Sequence, residues 1–134
     1  MTNQLLQLKW GRITINTLSV YIFSFLLMMS IIMGYATYLG FQARGMPNPD
    51  QIQQFANQYA PLLGMYGLIP FTFLAARRMA QRIGTATQLH GVVLGVLVSL
   101  LNVLTSGLSL DIILPTLLTI SAGWLGSRSR RVQS

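Results

Sequence analysis

Cysteine is absent from this chain, and acids nearly so: among 134 residues there are two Asp, no Glu and one His. The first absence excludes disulfides, thiolate catalysis and cysteine-ligated zinc or iron–sulfur sites. The second leaves Asp50 and Asp111 isolated from each other and from any histidine, which builds neither an acid–base pair nor a metal site. His90 has no Glu or Cys companion to complete a ligand set. No Gly-x-Ser-x-Gly elbow occurs. The nearest approach to a phosphate loop, Gly34 to Gly45, lacks Gly-Lys-Ser/Thr. The expectation is therefore no catalytic residue, no cofactor and no metal. Charge is scarce as well: 8% of residues, where a soluble domain carries about 25%. That is too little to solvate a globular surface, and a surface facing lipid needs none.

What the chain does have is long apolar runs, with 52% hydrophobic residues overall. Four apolar segments are candidates for the ~20-residue helices that cross a hydrocarbon core: about 13–41, 59–76, 89–107 and 110–125. The first is too long for the ~7–15-residue core of a cleaved leader and reads as an uncleaved span. Tyr35, Tyr38 and Phe41 would form an aromatic belt at its end, and Trp10 and Trp124 mark the opposite interface.

The basic residues follow this zigzag. Lys9 and Arg12 precede the first segment; Arg77, Arg78 and Arg82 follow the second; Arg128, Arg130 and Arg131 follow the fourth. Only Arg44 falls in the other connections, together with both aspartates. Cytoplasmic connections retain Lys and Arg, so the pattern predicts both termini inside. The resulting expectation is an all-α integral membrane four-helix bundle forming one domain, residues 1–134, in a bacterial inner membrane. The net charge of +7 is not read as a nucleic-acid surface, because the cations sit at the ends of apolar runs. Anionic headgroups fit better, at roughly 1 kcal/mol per basic residue. The expected contacts are Arg77, Arg78, Arg82, Arg128, Arg130 and Arg131.

In the first outer connection, Met46-Pro47-Asn48-Pro49-Asp50 interrupts any helix, and Asp50 is positioned to cap a new one. Ile52, Phe55, Ala56 and Tyr59 then share one face opposite glutamines. This predicts a short helix lying on the outer surface. Pro70 predicts a kink in the second span, Asp111 a cap for the fourth, and Gly126 to Ser134 a basic tail.

Helices in lipid associate through close backbone approach and interhelical hydrogen bonds, so small and weakly polar residues mark contact faces. The faces expected here run through Asn16, Ser19, Ser30, Gly34 and Thr37 on the first span, and Gly64 and Gly67 on the second. On the third they run through Gly91, Gly95, Ser99 and Asn102, and on the fourth through Thr116, Thr119, Gly123 and Ser127. These faces serve either packing within one chain or, at Gly91-x-x-x-Gly95, a homo-oligomer seam. Asn102 is expected to bond a hydroxyl on the first or fourth span. Met28, Met29 and Met33 read as adaptable packing rather than copper ligands.

The stretch Ala75-Ala76-Arg77-Arg78-Met79-Ala80, followed by Leu89-His90-Gly91-Val92-Val93-Leu94-Gly95, resembles the middle of small four-helix prokaryotic membrane proteins of unknown function. The resemblance implies a four-span fold and no established activity. The functional expectation is a non-enzymatic accessory, assembly or scaffolding subunit with a membrane-protein or homo-oligomeric partner. The alternative is a small oligomeric transporter or channel component, motivated by Pro70, Pro115 and Asn102.

Overall fold

The computed structural model describes residues 8–82 and 88–128. The described residues are all-helical: α1 (Trp10–Gln42), α2 (Pro49–Arg82), α3 (Gln88–Ser106) and α4 (Ile113–Arg128), with a 3₁₀ turn, Leu110–Ile112, leading into α4. Counting that turn with α4, all four are long and apolar enough to cross a membrane.

The hairpins are antiparallel. Ser24 on α1 meets Gly64 and Gly67 on α2, and Tyr35 meets Phe55. Gly91 and Gly95 on α3 meet Gly123 and Thr119 on α4. α4 packs along both α2 and α3, α2 packs along α1, and α3 touches α1 and α2 more thinly. α1 and α4 thus occupy opposite corners. The buried core includes Ile13, Val20, Leu68, Ala76, Met79, Leu94 and Val98, and Leu8 closes it where α1 begins. Because the helices alternate in direction, Lys9, Arg12, Arg77, Arg78, Arg82 and Arg128 share one end of the bundle, the basic end. Arg44, Asp50 and Asp111 share the far end.

The buried lines follow helical spacing. On α1 it is Ile13, Thr17, Val20, Ser24; on α2 it is Leu68, Thr72, Ala76, Met79 and Ala80. Both are displaced from the faces expected from small residues. Most small polar residues on the expected α1 face satisfy their own backbone instead. Asn16, Ser19, Ser30 and Thr37 donate to the carbonyls of Arg12, Ile15, Leu26 and Met33, one turn back. A hydroxyl bonded that way needs no neighbouring helix.

Other expectations about elements change. The segment expected as a separate surface helix is the first part of α2, which runs unbroken through Pro61 and Pro70 for 34 residues. Its apolar face meets α1: Phe55 stacks on Tyr35 with ring centroids 3.9 Å apart, and within α2 the Tyr59 ring lies tilted against Phe55 at 4.6 Å. Asn48, not Asp50, caps α2, since its side-chain oxygen accepts from the Asp50 N–H at 3.0 Å. Pro49 and Asp50 follow in the first turn, where a missing N–H costs nothing and a carboxylate favours the helix dipole. Pro115 occupies the first turn of α4 and breaks no bond there. α4 continues past Leu125 to Arg128, with Gly126 and Ser127 buried against α2 and α3. Asp111 lies within the 3₁₀ turn, and Ser109 stands at its start without a side-chain cap bond.

Candidate functional site

Three places in the bundle concentrate the residues singled out by sequence. The first is the α3–α4 seam. A Cβ added at Gly91 would collide with the Gly123 carbonyl oxygen and lie 2.6 Å from Ser127 Oγ. One at Gly95 would lie 2.8 Å from Ile120 Cα and 3.0 Å from the Thr119 oxygen. One at Gly123 would meet the Gly91 carbonyl. In lipid, where apolar burial gives helices no preference for each other, such backbone contact supplies the attraction. The face carrying Gly91 and Gly95 is therefore occupied by α4 of the same chain. Gly126 makes an equally close approach to α2, 2.5 Å from added Cβ to the Phe73 oxygen. Its position after the last long apolar run concealed it in the sequence. Gly67 is tight against Ser24, 2.8 Å from its Oγ, whereas Cβ atoms at Gly34 and Gly64 would meet nothing within 4 Å. These two glycines are not close-approach points, although the Gly64 carbonyl accepts from Ser24 Oγ at 3.4 Å.

The second place is a crevice of about 220 Å³ between α1, α2 and the far half of α3, lined by Tyr21, Ser24, Gly64, Asn102 and Thr105 among others. Asn102 is buried. Its side-chain oxygen accepts from Ser106 on its own helix at 3.4 Å, which differs from the cross-helix bond expected of it. The cross-helix bond is made by Thr105 instead, 2.7 Å from the Tyr21 hydroxyl. Tyr21 is the polar partner that composition did not single out, because a tyrosine mid-span reads as bulk. Ser99 Oγ, Thr72 Oγ1 and Thr116 Oγ1 are buried without a hydrogen-bond partner. The crevice wall holds hydroxyls and an amide but no ionisable acid or base other than the phenol.

The third place is a cleft of about 380 Å³ at the basic end, between α1 and α2, where Arg12, Arg78 and Arg82 meet Asn16 and Ser19. Arg77 is not part of its lining, and its backbone faces Gly126 of α4. Arg128 lies over the Trp124 ring, 5.2 Å from its centroid, a cation–π contact. Arg130 and Arg131 fall outside the described residues.

His90 is buried on α3 beside Gly91. Among the described residues, no three of His, Cys, Asp and Glu come together in a way that would hold a metal. No protein-family model, no curated protein and no solved structure matches this chain.

Proposed function

We propose that this protein is a non-enzymatic integral membrane subunit that acts by docking its α1 surface on a partner membrane protein, in an accessory, assembly or scaffolding role. The proposed setting is a bacterial inner membrane, with the basic end and both termini in the cytoplasm. The observation that carries this is a mismatch between the two helices of the first hairpin. At the level where Tyr35 stacks on Phe55, α2 exposes Gln51, Gln53, Gln54, Asn57 and Gln58, a face suited to water. At the same level and beyond, α1 exposes Tyr38 and Phe41, the latter 81% accessible.

The length of α1 adds to the argument. Beyond Trp10, its exposed apolar residues run from Ile15 to Phe41, a rise of about 39 Å at 1.5 Å per residue. The hydrocarbon core is ~30 Å. Absorbing the excess by tilt alone needs about 40°, the upper limit for spanning helices. A protein surface over the end of α1 removes the excess without that tilt. Photo-crosslinking residues placed at Tyr38 and Phe41 in living cells test this. A discrete protein adduct at these positions, absent from a probe at Leu100, is expected. Lipid-only adducts at all three would refute the reading. Differently tagged copies of the chain distinguish a second copy from another protein.

A second reading, a small oligomeric transporter component, draws support from the polar crevice around Tyr21, Asn102 and Thr105. Liposomes holding the protein would then pass small neutral solutes faster than empty ones. Equal rates would end it.

A further inference from the structure

We propose that the α1–α2 cleft at the basic end is a binding site for one anionic phospholipid, whose phosphate is held by Arg12, Arg78 and Arg82 and whose headgroup carries free hydroxyls. Three arginines from two helices line this one cavity. Arg78 and Arg82 are four residues apart on α2 and share a face. Neither acidic side chain of the protein is near, since Asp50 and Asp111 both lie at the far end. Three like charges gathered without a carboxylate repel one another unless an anion joins them. A guanidinium presents a planar fork of donors that matches the oxygens of phosphate or carboxylate, and at the end of a membrane-spanning bundle the abundant anion is a lipid phosphate. Simple topology anchors would have no reason to share a cavity. Arg77, adjacent in sequence, shows the difference by standing outside it.

The wall on α1 adds a second requirement. Asn16 Nδ2 donates to the Arg12 carbonyl at 2.7 Å, and Ser19 Oγ to the Ile15 carbonyl at 2.8 Å. With one Asn16 N–H and the Ser19 hydroxyl hydrogen committed to the backbone, the Asn16 amide oxygen and the Ser19 lone pairs present acceptor capacity beside the one remaining Asn16 N–H. Acceptors below a cluster of donors suit a ligand that has both phosphate oxygens and hydroxyl hydrogens, as a phosphoglycerol headgroup does. The cavity of about 380 Å³ equals the liquid volume of roughly a dozen waters, which is room for such a group.

Acyl chains have a path away from the cleft. Ile15 lines it and is 66% exposed, and Leu18 and Ile22 continue the apolar track along α1 toward the far end. Soluble phosphate compounds would use the arginines but not this track. The site is independent of whether the far end of α1 docks a partner.

Native mass spectrometry of the full chain in mild detergent tests the proposal, with phosphatidylglycerol, phosphatidic acid and phosphatidylcholine of matched acyl length, and with glycerol phosphate. One phosphatidylglycerol adduct is expected to dominate, with phosphatidylcholine bound at least about tenfold more weakly. Arg12→Gln and Arg82→Gln should each weaken phosphatidylglycerol about fivefold, while Arg44→Gln, the same charge removed from the far end, changes it less than about twofold. Asn16→Leu should abolish the preference for phosphatidylglycerol over phosphatidic acid and leave phosphatidic acid binding in place. Arg82→Lys, which keeps the charge and loses the fork, should fall between wild type and Arg82→Gln; it serves also if the Gln variants fail to fold. Equal binding of phosphatidylcholine, or an equal loss in Arg44→Gln, would overturn the site. Displacement of the lipid by glycerol phosphate at matched concentration would overturn its lipid part.

Discussion

At the residue scale, the glycines separate into two kinds. Gly91, Gly95 and Gly126 sit where an added methyl meets backbone atoms that cannot rotate away. Overpacking of this sort costs typically about 1–3 kcal/mol. Each Gly→Ala change there should lower the unfolding midpoint in mixed micelles by an amount in that range. Gly34→Ala meets open space in the middle of α1. It should leave stability unchanged or raise it by up to about 1 kcal/mol, the helix-propensity gain of alanine. If both groups behave alike, backbone approach is not what holds the seam. Tyr21→Phe should cost on the order of 0.6 kcal/mol and no more than about 1.7, the average and the maximum for a cross-helix bond in lipid. On α3 and α4 the close approaches fall at Gly91, Gly95 and Gly123, glycines that lie within the small-residue faces read from the sequence. On α1 the small polar face was a poorer guide, because serine, threonine and asparagine can bond their own helix and so mark no particular neighbour. Tyr21 and Thr105 were illegible for a related reason: neither is unusual until they are brought within 2.7 Å of each other.

At the element scale, the apolar periodicity of Ile52, Phe55 and Tyr59 was legible, but the surface it faces was not. A membrane interface and the aromatic side of α1 ask for the same pattern, and only the Tyr35–Phe55 stack decides between them. Continuity of α2 was hidden by its prolines, which break isolated helices but are tolerated within lipid when other groups satisfy the freed carbonyl. Pro70 is exposed, and the helix continues through it. Pro70→Ala therefore restores a backbone bond without creating a cavity, and should raise the unfolding midpoint by a gain of no more than about 3 kcal/mol. A fall would show that the proline shapes a contact. Asn48→Ala removes the cap of α2 and should cost about 1 kcal/mol. Hydrogen exchange would show the loss as faster exchange confined to the first turn, around Asp50 to Gln53. Uniformly faster exchange throughout α2 would place the effect elsewhere.

At the scale of the whole molecule, the four-helix architecture was legible in composition alone, because so little charge and such long apolar runs leave few alternatives. Pairing was not legible. Which helices occupy opposite corners depends on the close approaches of Gly126 to α2 and of Gly91 to α4, and those are properties of backbones rather than of hydropathy. The unequal lengths of the two hairpins were half visible, as an overlong first span. Their consequence, an apolar α1 surface beside a glutamine-bearing α2, required both helices in one frame. The gathering of basic residues at one end follows from alternating helix direction and sets the orientation proposed for the protein.

That orientation rests on four crossings, and cysteine scanning addresses both at once because the chain has no native cysteine. Single cysteines replace Asn48 and Ser109 at the far end, and Lys9 and Gln81 at the basic end. An impermeant maleimide is then added to intact cells, before and after permeabilisation of the inner membrane. Labelling of Asn48→Cys and Ser109→Cys in intact cells, with Lys9→Cys and Gln81→Cys labelled only after permeabilisation, is the predicted result. The reverse pattern would contradict the orientation, and labelling of all four in intact cells would contradict the membrane-spanning bundle itself.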